Sequence, residues 1–205
     1  MTITDQPTAS RLLRAVQESL TFDEFLRDNP SRDEFERSYA AADPSAAEVD
    51  RLVGLAPSGG LVAVAIVEHW CPDVVASLPF VQKLAERAGP SELRLAVVVR
   101  DASSADLAAA YAPAGVSRIP TYVLVTADGR ELGVLVERTA AAQAVVDALQ
   151  AEFAAEHGLA TGEGFFASLD DDLRAQYVAR ARERRHATAD AEHRSLAAAF
   201  AELLG

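Results

Sequence analysis

Cys71 is the single cysteine of the sequence and the residue best suited to covalent chemistry. It lies in the segment Glu-His-Trp-Cys-Pro-Asp-Val, residues 68–74, at the predicted junction of a buried strand and a helix. Backbone N–H groups at a helix N-terminus point at such a sulfur and favour the thiolate, which lowers the pKa of the thiol. The carboxylate of Asp73 acts in the opposite direction, because a nearby negative charge raises that pKa. Pro72 suits the first helical position, where its missing N–H is not needed.

The chemistry of this cysteine has two interpretations. Cys71 is either a reactive monothiol or a buried structural cysteine. A monothiol takes a protein or a low-molecular-weight thiol into a mixed disulfide, which an external thiol then resolves. A lone cysteine forms no intramolecular disulfide, so a reducing compartment is the natural environment. His69 could orient the site or donate a hydrogen bond, although a histidine at a strand end is more often incidental.

A second group of candidate ligands lies near the C-terminus. Its members recur at spacings of three and four residues, which would place them on one face of a continuous helix: Glu183, His186, Asp190 and His193. Metal sites built from Glu-x-x-His patterns need ligands from several helices, so we expect an exposed charged face and no metal site. The neighbouring arginines are expected to be solvated and paired with acidic residues: Arg180, Arg182, Arg184 and Arg185.

Hydrophobic patterning predicts the elements that position Cys71. The continuous apolar run 61–67 predicts a strand that is buried on both faces, and residues 93–99 predict a second buried strand. Helical periodicity between them predicts a helix over 74–87. Residues 121–126 and 131–137 are close enough to form an antiparallel hairpin.

The remaining segments are predicted to be helical. Before the first strand, capping-box patterns begin at Thr21 and Ser31, and Pro44 suits the first position of a further helix. A long helix is predicted over 139–156, and a last helical region begins at about Ser168. Apolar residues of that last region should dock on the main domain or on a second subunit: Leu169, Leu173, Tyr177, Leu196, Phe200 and Leu203.

Two motifs resemble the thioredoxin superfamily. A strand that ends in Trp70-Cys71 is followed by a helix, which Pro79 interrupts eight residues after the cysteine. Residues 115–121, Gly-Val-Ser-Arg-Ile-Pro-Thr, resemble the thioredoxin segment that carries the cis-proline. The resemblance covers roughly residues 58–156. Its details fit a bacterial thioredoxin-like group with a helical N-terminal extension and a Trp-Cys-Gly-Asp type motif.

The resemblance implies a substrate groove around the cysteine. Pro120 would lie against the Cys71 sulfur, the backbone of Ile119 would pair with an extended substrate chain, and Trp70 would form an apolar wall. Arg118 would attract a thiolate or a substrate carboxylate, or would be a solvated loop arginine. The expected substrate-binding residues are those that surround the cysteine in the two motifs: Trp70, Pro72, Asp73, Arg118, Ile119 and Pro120.

Three positions depart from the pattern of that superfamily. The partner cysteine of a dithiol thioredoxin is replaced by Val74, so two-cysteine reductase chemistry is excluded. The buried carboxylate that thioredoxins often carry six residues before the cysteine is Ala65 here. Pro72 replaces the glycine that is usual in the related group.

Charge and composition limit the partners. The 205 residues include 19 basic and 31 acidic side chains, and the net charge of −12 disfavours nucleic acid and anionic lipid. The longest apolar run is too short to cross a bilayer, which takes about 20 residues, and the N-terminus lacks the pattern of a secretion signal. We therefore expect a cytoplasmic protein that does not bind membranes.

The sequence as a whole predicts an α/β protein with a thioredoxin-like fold, a mixed central sheet flanked by helices. Residues 1–57 form a helical N-terminal extension, 58–157 the thioredoxin-like domain and 158–205 a helical C-terminal extension. The expected function is thiol–disulfide exchange through Cys71 with a protein or low-molecular-weight thiol or disulfide, without a cofactor. A redox-inactive protein-binding module is the alternative, and a homodimer through the terminal helices stays open.

Overall fold

The structure is a computed structural model that describes residues 8–162 and 164–205, which form an α/β fold. The helices before the sheet are α1 (Thr8–Glu18), α2 (Phe22–Leu26), α3 (Arg32–Ala41) and α4 (Ala46–Leu55). The central elements are β1 (Leu61–Val67), α5 (Pro72–Ala88), β2 (Leu93–Val99), α6 (Ala105–Ala110), β3 (Thr121–Thr126) and β4 (Glu131–Val136). The helices after the sheet are α7 (Ala140–His157), α8 (Phe165–Ser168), α9 (Asp171–Ala187) and α10 (Ala189–Leu204).

The sheet has the order β2-β1-β3-β4. β1 is parallel to β2 and antiparallel to β3, and β4 pairs with β3 as an antiparallel hairpin. The predicted mixed sheet and thioredoxin-like fold are therefore confirmed. Because β1 and β2 are parallel and β3 runs the other way, the segments after β1 and β2 and before β3 meet at one edge of the sheet. Cys71 and Pro120 both lie in those segments.

Every residue of β1 is buried, because helices cover both faces of the sheet. Ala63 and Ala65 lie in a cluster formed with α2 to α5 and α10. Val64 and Ile66, which alternate with them, lie in a cluster on the other face with α1 and α6. This two-sided burial explains the uninterrupted apolar run in the sequence.

The structure differs from one predicted helix start and from one predicted capping hydrogen bond. Thr21 and Glu24 form the expected capping box, but the side chain of Ser31 makes no capping hydrogen bond. The helix predicted to begin at Pro44 begins instead at Ala46. Its cap is Ser45, whose hydroxyl accepts from the N–H of Glu48 while the Glu48 carboxylate accepts from the N–H of Ser45. A complete capping box satisfies two backbone donors, which proline at the first helical position does not.

The last helices dock on the rest of the chain, as the apolar residues predicted. Leu169 and Tyr177 pack with Phe153 of α7, whereas Leu196 and Phe200 of α10 belong to the main cluster beneath the sheet. Among residues 8–162 and 164–205, no helix is both long and apolar enough to span a membrane.

Gly133 of β4 permits the close approach of α10. A Cβ atom built at this position would lie 2.7 Å from the Cβ atom of Leu203. Because that atom is attached directly to the backbone, a change of rotamer does not move it away. We expect Gly133→Ala to lower the free energy of unfolding by about 1–3 kcal/mol through overpacking. Urea denaturation measures this change.

Gly54, in the interior of α4, is the matched control. A Cβ atom there would meet no atom within 4 Å, so Gly54→Ala should stabilise the protein by about 0.5–1 kcal/mol through helix propensity. Equal effects of the two substitutions would contradict a close contact between α10 and β4.

Candidate functional site

Cys71 caps the N-terminus of α5 and follows directly on the loop after β1. Its carbonyl accepts the first helical hydrogen bond, from the N–H of Val75 at 3.1 Å. Pro72 occupies the first helical turn, as predicted. The cysteine is 5% exposed, so the thiol lies just beneath the surface.

The thiol faces the loop before β3. The Ile119–Pro120 peptide bond is cis, and the Cys71 S–H donates to the Ile119 carbonyl at an Sγ–O distance of 3.6 Å. Ile119 is 8% exposed, and Pro120 is buried. The structure thus brings together the two motifs that are 48 residues apart in the chain.

The environment of Cys71 raises the pKa of its thiol to about 11. Burial is the largest cause, and the negative charge of Asp73 adds to it. Hydrogen bonds from the backbone N–H groups of Val74 and Asp73, together with the charge of Arg138, lower the pKa by less. The N–H groups of the helix N-terminus thus favour the thiolate as expected, but the net shift of the pKa is upward, because desolvation of the charged form outweighs them.

Asp73 is buried beside the cysteine and bonded to two arginines. Its Oδ2 accepts from Nη2 and Nε of Arg138 at 2.7 and 3.0 Å, and its Oδ1 pairs with Nη1 of Arg185. Both carboxylate oxygens are thus occupied within the chain. These contacts give Asp73 a structural role, and its predicted contact with a substrate stays a prediction.

The pairs extend into a charge cluster formed by the buried Asp73, Arg185 and Glu192 and the partly buried Arg138. Arg185 Nε lies 2.5 Å from Oε2 of Glu192, and Oε1 of Glu192 accepts from the Thr188 hydroxyl at 2.6 Å. Burial raises the pKa of Glu192 more than its partners lower it. The cluster joins α9 and α10 to the first turn of α5. Sequence reasoning missed it, because Arg185 was expected to be solvated.

Each of the two loops that meet at the buried thiol carries one exposed apolar side chain. Trp70 is 57% exposed in the loop before Cys71, and Val116 is 55% exposed in the loop before Pro120. We call residues 68–71 and 116–120 together the Cys71 surface. Trp70 was predicted as an apolar wall, whereas Val116 was not identified, since a single valine in a loop carries no pattern.

Comparison with known protein families matches residues 19–151 to the family described as Thioredoxin. The chain belongs to the thioredoxin family. The matched range begins within the N-terminal helices and ends in α7. A search of curated proteins finds no match.

Two solved structures share the thioredoxin-family fold of this chain. A Pseudomonas aeruginosa protein of unknown function is 19% identical with a TM-score of 0.51, over 83% of this chain and 93% of the other. An HIV epitope scaffold is 18% identical with a TM-score of 0.50, over 87% of this chain and 96% of the other. At these identities the likeness concerns the fold alone.

The thioredoxin-family positions that depart from the dithiol pattern are apolar and buried. Val74 and Ala65 are both 0% exposed and belong to or border the main cluster. The side chains at these two positions therefore supply neither the second thiol nor the buried carboxylate of a dithiol thioredoxin.

Two further predicted residues are engaged within this thioredoxin-family chain. Arg118 is half-exposed and pairs with Glu137 at 2.8 Å, so its guanidinium already has a carboxylate partner. The His69 ring stacks on Phe25 of α2 with a centroid distance of 4.6 Å. Its Nδ1 is buried and has no hydrogen-bond partner in the described part of the chain.

The charged face expected near the C-terminus is divided between two helices of this thioredoxin-family chain, because α9 ends and α10 begins around Thr188. Glu183, His186 and Asp190 are exposed, whereas His193 is buried against Phe80 with ring centroids 4.4 Å apart. Burial lowers the pKa of His193. Across residues 8–162 and 164–205, no group of three potential metal ligands is present.

Proposed function

We propose that this thioredoxin-family protein is a binding module that holds an extended polypeptide on the Cys71 surface, with the thiol protonated. The observation that carries the proposal is the state of Cys71. Its thiol is buried and donates to the Ile119 carbonyl, and its pKa is raised to about 11. A thiol in this state is a poor nucleophile at neutral pH.

The chemistry of the surface supports an apolar, uncharged or basic partner. Trp70 and Val116 present large apolar areas to solvent, and aromatic side chains of this kind contribute strongly to binding. The net charge of −12 repels acidic chains and attracts basic ones. An unfolded basic polypeptide is therefore the appropriate probe.

Trp70 is the single tryptophan of the sequence, so its fluorescence reports on the Cys71 surface alone. We expect reduced, carboxamidomethylated ribonuclease, which is basic and has no free thiol, to change the emission of Trp70 in a saturable manner. Val116→Ser should weaken this binding about tenfold, because one buried valine contributes about 1.5 kcal/mol.

Phe166→Ser is the matched control, since Phe166 of α8 is 44% exposed and lies outside the Cys71 surface. It should leave the affinity unchanged. The absence of any saturable change in Trp70 emission, or equal losses in the two variants, would overturn the proposal.

Single-cysteine thiol–disulfide exchange is the second candidate. It is favoured by the position of Sγ at the N-terminus of α5, where the N–H groups of Asp73 and Val74 lower the pKa. The Cys71 thiolate would attack the disulfide of a protein or low-molecular-weight partner, form a mixed disulfide and release one partner thiolate. A second external thiolate would then attack the mixed disulfide and return Cys71 to its reduced form. The pH dependence of Cys71 alkylation separates the two candidates.

A further inference from the structure

Arg100 directly follows β2 at the edge of the sheet that carries the Cys71 surface. Its backbone N–H donates to the Val67 carbonyl at 2.8 Å, which continues the pairing of β2 with β1 by one residue. The side chain therefore starts beside the end of β1.

The guanidinium of Arg100 bonds to both loops of the Cys71 surface. Its Nε and Nη2 pair with Oε1 of Glu68. Its Nη1 donates to the Ser117 carbonyl at 2.9 Å and to the Ser117 hydroxyl at 3.3 Å. The side chains of Arg100 and Glu68 are only 27% and 18% exposed, so solvent screens the pair weakly.

These contacts fix the distance between the two loops. Glu68 lies three residues before Cys71, and Ser117 lies three residues before Pro120. The direct bond between the loops, from the Cys71 thiol to the Ile119 carbonyl, is long and comes from a weak donor. A planar guanidinium offers several donors in a fixed geometry, which a flexible ammonium group does not.

We propose that Arg100 is a positioning residue that holds the loops 68–71 and 116–120 together and thereby keeps Cys71 covered. This inference rests on the proposed function, because it takes the Cys71 surface to be the binding surface. It concerns the geometry of the surface and predicts its behaviour without any partner present.

The test compares Arg100→Gln and Arg100→Lys with the wild-type protein. The first readout is the rate at which iodoacetamide alkylates Cys71 in the folded protein, and the second is acrylamide quenching of Trp70 fluorescence. We expect Arg100→Gln to accelerate alkylation about tenfold and to increase the quenching, because charge-assisted hydrogen bonds to both loops are lost. Arg100→Lys retains the positive charge beside Glu68 but loses the several N–H donors of the guanidinium. It should therefore give an alkylation rate between those of the wild-type protein and Arg100→Gln.

Arg87→Gln is the matched control. Its guanidinium also bonds to a backbone carbonyl and a carboxylate, those of Pro44 and Asp43, at the opposite end of α5. It should leave the alkylation rate and the Trp70 quenching unchanged, whatever its effect on thermal stability.

Alkylation and quenching at wild-type values in both Arg100 variants, or changes no larger than those of Arg87→Gln, would overturn the inference. If Arg100→Gln does not fold, the alkylation rate and the Trp70 quenching of Arg100→Lys alone support or overturn the inference. A failure of the ribonuclease probe to bind would refute the proposed function and leave the positioning result standing, so the two failures are distinguishable.

Discussion

Alkylation of Cys71 in the folded protein should be slow at neutral pH and should rise with pH to a midpoint near 11. At pH 7 we expect a rate more than about a hundredfold below that of the denatured chain, because the thiolate is the reacting species and the pKa of Cys71 lies far above the free-thiol value of ~8.5. The physical cause is burial of the sulfur, to which the charge of Asp73 adds. Stopped-flow alkylation between pH 6 and 12, with a denatured control, measures the midpoint.

Asp73→Asn tests the cause of this shift. Removal of the negative charge should move the midpoint to lower pH, since Asp73 raises the pKa of Cys71. Glu86→Gln, an exposed substitution on the same helix, should leave the midpoint where it is. A wild-type midpoint near or below the free-thiol value of ~8.5, with fast reaction at neutrality, would instead support single-cysteine exchange.

The same shift predicts how stability depends on pH. The folded protein holds the thiol proton more tightly than the denatured chain, so this contribution to stability is complete below the unfolded pKa. It is lost as the pH rises through the folded pKa of about 11. Cys71→Ala should remove the decrease in the free energy of unfolding that ionisation of the Cys71 thiol causes at alkaline pH.

Arg185→Met should lower the free energy of unfolding by about 3–5 kcal/mol, the range for breaking a buried ion pair. Arg185, Asp73 and Glu192 are each 6% exposed, and loss of the guanidinium leaves two buried carboxylates with Arg138 as the remaining cation of the cluster. Urea denaturation at neutral pH measures the loss.

The neighbouring Arg184 provides the control. Its pair with Glu152 is solvent-exposed, so Arg184→Met should cost about 0–1 kcal/mol. The destabilisation by Arg185→Met should shrink as the pH falls, because burial raises the pKa of Glu192 and protonation of its carboxylate removes an uncompensated charge. Equal losses in the two arginine variants would contradict the buried cluster.

Local patterns in the sequence predicted the sheet with little error. The run 61–67 and the run 93–99 coincide with β1 and β2, and the predicted hairpin ends one residue later than β4. β1 is buried by helices on both faces, so apolar side chains occupy all of its positions and the pattern is unambiguous. The edge strand β2 is less uniform and carries the exposed Arg94. The motif around residue 120 also predicted the cis-proline loop opposite Cys71.

The sequence predicted helix boundaries less well where its local pattern fitted more than one boundary. Pro44 and Ser45 are both good helix-start residues, and the capping box with Glu48 decided in favour of Ser45. Residues 168–204 have helical character throughout, so periodicity gave no sign of the break around Thr188. The break turns His193 towards Phe80 and separates it from the exposed residues of α9.

The sequence by itself determined the fold class, the strands, the single cysteine and the lack of a resolving thiol, because these follow from residue identity and local periodicity. Only the tertiary structure decided the state of Cys71. The helix N-terminus that favours a thiolate is visible in the sequence, whereas the burial that outweighs it comes from distant segments. Likewise Asp73, Arg185 and Glu192 appear in the sequence as ordinary surface charges. Packing of α9 and α10 on α5 removes them from water and makes them partners of one another.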